Sequence, residues 1–300
     1  MASMRDIKRR KTSITSTQQI TKAMKLVSTV KLQRAKLRAE QCKSYSEIMY
    51  ETMISMIERS GYLDHRYMKP NGSAKKAIVV ITSNRGLAGG YNSNVTKLIT
   101  QSGWNKEDVV IYGVGKKGYD SLKSKGYDVV FEDSEMIEEP VFSDAGELAE
   151  KLLTSYANGE VGEIYVAYTI FKNTVVHIPT LQKLIPLNMN DGPKDSVIGD
   201  GHKEVDPQEA INRRALMVYE PAEDEALDLI IPKYVNSLLY GALIEAVASE
   251  NGARMQAMDS ATDNAEKMIS ELELQYNRAR QGAITQEITE IIGGADALSS

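Results

Sequence analysis

The sequence predicts an α/β domain inserted between two long terminal helices that pair as an antiparallel coiled coil. Three observations predict this fold class. No glycine or proline lies between Ser3 and Ser60, so nothing interrupts a helix there. No proline follows Pro232, and the residues after it are largely strong helix formers. Between these ends, short apolar runs alternate with helical stretches, which is typical of a Rossmann-like, mostly parallel sheet.

The N-terminal segment, residues 1–60, is predicted to form one basic helix that ends at Gly61, because glycine commonly terminates helices. Such a helix would be roughly 80 Å long. Residues 1–40 contain eleven Lys or Arg against two acidic residues. Taken alone, a basic amphipathic helix also suits a coiled-coil nucleic-acid-binding protein or an anionic membrane surface. The predicted apolar stripe consists of Ile14, Ile20, Met24, Val27 and Val30.

The middle of the chain, residues 75–220, is predicted to be the α/β domain, reached through a linker at 61–75. Strands separated by helices imply right-handed βαβ units. An acidic loop rich in glycine and proline at 190–212, followed by 218–221, would close the domain. The predicted strands are 77–83, 109–113, 129–132, 164–169 and 181–187, and the predicted helices lie around 94–102, 116–125 and 145–158.

The C-terminal segment, residues 221–300, is predicted to be a second long helix, with Pro232 near its start, where proline is tolerated. It is acidic, so it would attract the basic N-terminal helix, although each exposed pair contributes under about 1 kcal/mol. Its apolar residues recur in steps of three and four, which is typical of a coiled-coil seam. The paired glycines at 293–294 predict a helix end. The seam residues are Ala261, Ala265, Met268 and Leu272, and after a slip in phase Ile284, Ile288, Ile291, Ala295 and Leu298.

Composition limits the remaining possibilities. The 300 residues, 42% of them apolar, can bury a substantial core, and the net charge is −5. Cys42 is the only cysteine, so an intrachain disulfide is impossible. No apolar run is expected to reach the roughly eighteen residues that a membrane span requires. The basic N-terminus also imitates a mitochondrial transit peptide in composition.

A glycine-rich turn supports an alternative, an NAD-binding enzyme. Gly113 to Gly118 reads G-x-G-x-x-G after a predicted strand, with Glu132 nineteen residues beyond Gly113. However, a dinucleotide fingerprint follows the first strand, whereas here the strand 77–83 precedes it. The glycines are therefore better explained by a tight strand-to-helix turn. The histidines are too dispersed for a catalytic or metal site and are His65, His177 and His202.

Several literal motifs carry a family resemblance. Residues 261–265 read ATDNA, residues 276–281 read YNRARQ, and residues 284–291 read ITQEITEI. Near the N-terminus, residues 20–27 read ITKAMKLV, and residues 83–92 read SNRGLAGGYN. The chain thus resembles the γ subunit of the rotary F-type ATP synthase, and its layout of terminal helices around an α/β domain is similar over the whole length.

The resemblance implies a mechanical role without bond chemistry. The coiled coil would be a central shaft turned by a membrane ring of c subunits that proton flow drives, with ATP made on the β subunits. The implied partners are three α subunits, three β subunits, the epsilon subunit and the c-ring, at the cytoplasmic face of the cell membrane. No catalytic residue, cofactor, metal, nucleic acid or direct membrane insertion is implied. A light-responsive cysteine pair is not expected, because Cys42 is alone.

The resemblance also assigns contact residues. The positions that match contacts with a β subunit are Lys22, Met24, Lys25, Arg254, Arg280, Gln281 and Thr285. The tip of the shaft inside the collar of α and β subunits would carry Ile284, Ile288, Ile291, Ala295 and Leu298.

Overall fold

The structure is a computed structural model that describes residues 3–60, 65–187 and 223–299. Both predicted terminal helices are present. Helix α1 spans Met4–Ser60 and helix α5 spans Glu223–Ser299. The predicted acidic loop at 190–212 and the closing segment at 218–221 lie outside the described residues.

Two expectations about α5 are wrong. Pro232 lies inside the helix, which already begins at Glu223. The neighbouring Ile231 and Tyr234 are 0% and 2% exposed, so tertiary burial compensates for the hydrogen bond that proline removes. The helix also continues through the glycines at 293–294 to Ser299. Two glycines cost about 2 kcal/mol in helix propensity, which weakens a helix without forcing it to end.

The expectation about membrane spans is also wrong. Among the described residues, one helical stretch, Glu225–Ile292, is long and apolar enough to cross a membrane by length and composition. However, 56% of its apolar window is buried inside the protein, and core helices pass the same test. Residues such as Leu239 and Leu243 pack into the core of the α/β domain, which accounts for the apolar composition.

The central sheet confirms the predicted α/β class. Each predicted strand is found, and the bounds are β1 Lys76–Ile81, β2 Val109–Val114, β3 Asp128–Asp133, β4 Glu163–Phe171 and β5 His177–Ile185. The strand order is β3-β2-β1-β4-β5. The pairs β1–β2, β1–β4 and β2–β3 are parallel, and only β5 runs antiparallel to its neighbour, β4.

Both faces of the sheet are covered, as parallel sheets require. The connecting helices are α2 Tyr91–Thr100, α3 Lys116–Ser124 and α4 Phe142–Ala157. Along β1, Ala77, Val79 and Ile81 pack with α4, α1 and α5 on one face. The alternate residues, Ile78 and Val80, pack with α2 and α3 on the other.

By their contacts, residues 28–254 form one compact unit, and residues up to 27 with those from 255 onward form another. In this second unit α1 and α5 run antiparallel. Lys11 Nζ lies 2.7 Å from a carboxylate oxygen of Glu273. The buried hydroxyls of Thr21 and Thr262 are 2.7 Å apart. In these two contacts the residue number rises along α1 while it falls along α5. The contacts confirm the predicted antiparallel pairing of the basic helix with the acidic one.

The residues that face each other match the predicted stripes only in part: Ile14, Ala265 and Leu272 lie in the seam as predicted. In α1, Ile20 and Val27 are 60% and 58% exposed, whereas the less exposed positions recur in steps of four and three. In α5, Met268 is 50% exposed, and the seam does not slip in phase. The α1 seam is Ile7, Lys11, Ile14, Gln18, Thr21 and Lys25, and the α5 seam is Met258, Thr262, Ala265, Ile269, Leu272, Tyr276, Ala279 and Ala283.

The sequence misled because more than half of these seam positions carry polar or small residues, such as Lys11, Thr21 and Ala279. Small side chains let two helices approach closely, and large apolar residues at neighbouring positions then point outward. Val30, another member of the predicted stripe, is 49% exposed and lies within the other unit. The apolar periodicity of α1 therefore marks an outward face as well as a seam.

Candidate functional site

The paired helices leave one end of α5 without a partner helix among the described residues. The ion pair between Lys11 and Glu273 sets the register. Because the helices are antiparallel, each residue toward the start of α1 lies opposite one residue farther toward the end of α5, so Met4 lies level with Arg280. Helix α5 continues to Ser299, roughly 30 Å farther at 1.5 Å per residue. This projecting end is the principal candidate site.

An exposed apolar stripe runs along the projecting end. Ile284, Ile288 and Ile291 are 48%, 51% and 71% exposed, as a surface awaiting a partner would be. Ile292, which sequence reasoning missed, is 56% exposed and widens the stripe. Its position directly after Ile291 was the available signal. Two further predicted tip residues, Ala295 and Leu298, lie on the helical backbone, but their side chains fall outside the described ones.

Three of the predicted contact residues lie together at the base of this end. Arg280, Gln281 and Thr285 are all exposed. The Thr285 hydroxyl donates to the backbone carbonyl of Gln281 at 2.9 Å, which leaves its oxygen able to accept a further hydrogen bond. The group thus offers a guanidinium, an amide and a hydroxyl within six consecutive residues of the helix.

The predicted contacts on α1 differ from one another. Lys22 is exposed and Met24 is half-buried. Lys25 Nζ lies 2.5 Å from a carboxylate oxygen of Asp259 on α5. The structure therefore pairs Lys25 with a carboxylate of its own chain and leaves Lys22 facing outward.

Arg254 belongs to the other unit and is largely covered. Its side chain is 12% exposed, and its guanidinium lies 2.6 Å from a carboxylate oxygen of Glu250. Burial raises the pKa of Glu250, against the lowering effect of Arg254. Arg254, predicted as a contact together with Lys22, Met24 and Lys25, is thus paired with a carboxylate of its own chain.

The glycine-rich turn after β2 is occupied by the chain itself. At the start of α3, the backbone N–H of Lys117 donates to the carbonyl of Ser83 at 3.0 Å. The N–H of Gly118 donates to the hydroxyl of Thr82 at 2.8 Å. A Cβ on Gly115 would lie 2.0 Å from the carbonyl oxygen of Thr82. These donors are the ones that a pyrophosphate would need, so the glycines serve close packing and the NAD-binding alternative is not supported.

The basic face of α1 is partly neutralised within the chain. Lys11 and Lys25 pair with Glu273 and Asp259. A nucleic-acid-binding helix keeps such cations free for phosphate, so the internal pairing of these two lysines weakens the nucleic-acid alternative.

Comparison with known proteins points to one family. A family model described as ATP synthase matches residues 3–298. The ATP synthase gamma chain of Lachnoclostridium phytofermentans is 59% identical over 299 residues, covering 100% of each chain. The ATP synthase gamma chain of Acetobacterium woodii, named sodium ion specific, is 41% identical and covers 99% of each chain.

Solved structures share the fold. The chain is similar to one from the central stalk and c-ring of the Tetrahymena thermophila mitochondrial ATP synthase, with a TM-score of 0.61 and 23% identity over 81% of this chain and 99% of that one. A chain of the Euglena gracilis mitochondrial ATP synthase gives a TM-score of 0.56 at 18% identity, with 92% and 95% covered. The whole-length matches, together with the paired helices and their projecting end, establish that the chain belongs to the family of ATP synthase gamma chains.

Proposed function

We propose that this chain is the central rotor shaft of an F-type ATP synthase. In this role it performs no bond chemistry itself. It transmits the rotation of a membrane c-ring, driven by ion flow, to three β subunits, on which ATP is made. The chain is peripheral to the cell membrane on its cytoplasmic side, with the epsilon subunit and three α subunits as further neighbours.

The projecting end of α5 is the observation that carries the proposal. Beyond Arg280 the helix has no partner in α1, yet Ile284, Ile288 and Ile291 remain about half exposed or more. An isolated helix of this length is marginal in water and gains stability from packing its apolar stripe. A collar of α and β subunits would cover this stripe, whose residues are not part of the seam that α5 forms with α1.

The paired part of the helices suits torque transmission. Buried hydroxyl contacts and ion pairs fix the register of α1 against α5 at Thr21–Thr262 and Lys25–Asp259. Polar contacts in a coiled-coil seam specify register more than they add stability. A shaft needs a fixed register, because sliding of one helix along the other would dissipate rotation.

Assembly and coupling test the proposal together. The chain would be co-expressed with the remaining subunits of the complex, purified through a tag on β, and reconstituted into vesicles. We expect it to co-purify with α and β and to restore ion-driven ATP synthesis. A complex of α and β that forms equally well and couples equally well without the chain would refute the proposal.

The coupling ion is tested in the same vesicles. We propose proton flow, while one relative is named sodium ion specific. Synthesis driven by a pH gradient in sodium-free buffer supports protons. Synthesis that requires a sodium gradient assigns sodium and leaves the rotor role intact.

A further inference from the structure

The guanidinium of Arg254 is enclosed by groups of its own chain. It lies 2.6 Å from a carboxylate oxygen of Glu250 and 3.5 Å from the backbone carbonyl oxygens of Arg85 and Gly86. Only 12% of its side chain is exposed. Arg280, by contrast, is an exposed arginine on the same helix. A side chain this covered has little surface to offer to another subunit.

Glu250 and Arg254 form a desolvated pair. The Glu250 side chain is 13% exposed. Burial raises its pKa, Arg254 and Lys31 lower it, and Glu138 raises it. Burial raises the pKa of Tyr91, the charge of Glu250 raises it further, and the charge of Arg254 lowers it. Removing either member of such a pair leaves the other charge uncompensated, so the two side chains act as one unit.

The loop that meets Arg254 holds an unusual backbone conformation. The backbone φ angle of Leu87 is 64°, and 64% of the residue is exposed. A bulky side chain rarely adopts this left-handed region, and such strain persists only where surrounding contacts impose it. Gly86 and Gly89 are close by in sequence, so the strained position is occupied by leucine although glycines flank it.

Contacts fix this loop at both ends. The Ser83 hydroxyl donates to the carbonyl of Arg85 at 2.6 Å, and the Asn84 amide donates to a backbone carbonyl after β3 at 2.6 Å. Ala88 is 2% exposed. Between these anchors, Arg254 is the side chain of α5 that reaches the backbone of the loop.

We propose that Arg254 is a positioning residue. Held by Glu250, it fixes residues 85–87 and thereby presents Leu87 at the surface, and it does not itself contact a neighbouring subunit. This inference deepens the proposed function, and the statement that Arg254 does not contact a neighbouring subunit rests on that function. It departs from the role that the family resemblance implied for Arg254, a contact with a β subunit.

The test measures the loop directly. In a Cys42→Ser background, which removes the only cysteine, a nitroxide is attached at Leu87→Cys in the full-length chain. Its mobility is recorded by electron paramagnetic resonance in Arg254→Gln, Arg254→Lys and Glu250→Gln variants. Arg280→Gln is the matched control. The same substitutions, without the label, are assayed for ion-driven ATP synthesis in the complete complex.

We expect Arg254→Gln and Glu250→Gln each to shorten the rotational correlation time of the label at least about twofold, since a released loop moves on the nanosecond timescale. Both should impair synthesis, and the double variant should be no worse than either one, because the pair acts as a unit. Arg254→Lys should restore part of the immobilisation. Arg280→Gln should leave the label unchanged.

An unchanged label in both Arg254→Gln and Glu250→Gln would overturn the proposal. So would a fully active Glu250→Gln complex beside an inactive Arg254→Gln complex, which would indicate direct contact of the guanidinium with a partner. Circular dichroism identifies a misfolded variant. If Arg254→Gln misfolds, the label mobility and the synthesis measured in the Arg254→Lys variant and in the Glu250→Gln variant decide the question. The label experiment uses the isolated chain, so it is independent of whether the chain proves to be a rotor.

Discussion

The continuity of α5 within the paired unit can be tested at Ile269. Proline at this position would remove the hydrogen bond from residue 269 to the carbonyl of Ala265 and clash with that carbonyl, at a cost of roughly 3 kcal/mol or more. Ile269 is half-buried in the seam, so loss of its side chain adds about 1 kcal/mol. The total, about 4 kcal/mol, is comparable with the stability of a small domain.

Ile269→Ala is the matched control. It loses the same packing, about 1 kcal/mol, but gains a few tenths of a kcal/mol in helix propensity. We expect Ile269→Pro to abolish assembly or ion-driven ATP synthesis in reconstituted vesicles, whereas Ile269→Ala retains most of the activity. Deleting residues 295–300 should also leave substantial activity, because the exposed stripe from Ile284 to Ile292 remains.

Equal synthesis by the proline and alanine variants would refute the reasoning, since a kinked helix would then transmit rotation as well as a straight one. Loss of synthesis on the short deletion, with the proline variant active, would move the essential segment to the tip. Helical content measured by circular dichroism separates local kinking from loss of the whole fold.

Three further predictions concern individual side chains. Lys25→Glu should lower coupled synthesis because it places two carboxylates opposite each other in the Lys25–Asp259 pair. Adding Asp259→Lys should restore synthesis, whereas no restoration would favour an external partner for Lys25. Gly115→Ala should destabilise the α/β unit by more than about 3 kcal/mol in urea unfolding, because the new Cβ would lie 2.0 Å from a backbone oxygen. Gly126→Ala, also at positive φ but with nothing within 4 Å, should cost only about 1 kcal/mol, and equal costs would contradict the packing argument. Burial raises the pKa of Glu163, but hydrogen bonds with Lys183 and Lys76 lower it more, so the pKa falls from 4.5 to about 2. The ionised carboxylate therefore stabilises the fold by an amount of the order of 1–3 kcal/mol, which is complete above pH 4.5 and is lost as the pH falls toward 2. Glu163→Gln should remove this pH dependence of the free energy of unfolding.

The sheet could be predicted from sequence because its signal is local. Apolar runs such as 77–81 and 109–114 are buried on both faces, and such strands appear as continuous apolar segments bounded by turns. The extent of α1 was predictable for the same reason, since no breaker interrupts it. Each of these predictions depends on residues close together in the chain.

The buried faces of the helices were less predictable. The seam places Thr21 against Thr262, whereas apolar periodicity selects Ile20 and Val27, which the structure exposes. Hydrophobicity cannot distinguish a face that packs within the chain from one that meets another protein. Likewise, Arg254 contacts a loop about 170 residues earlier in the chain, and no local sequence pattern predicts such a contact.

Rotation of the chain within its complex tests the central claim most directly. The complex would be immobilised through its β subunits, and a bead attached at Ser124→Cys, an exposed position on α3, in the Cys42→Ser background. On addition of ATP we predict sustained rotation of the bead in one direction, which stops when ATP is withdrawn. Steady ATP hydrolysis by complexes whose attached beads do not turn would contradict the assignment of this chain as the shaft.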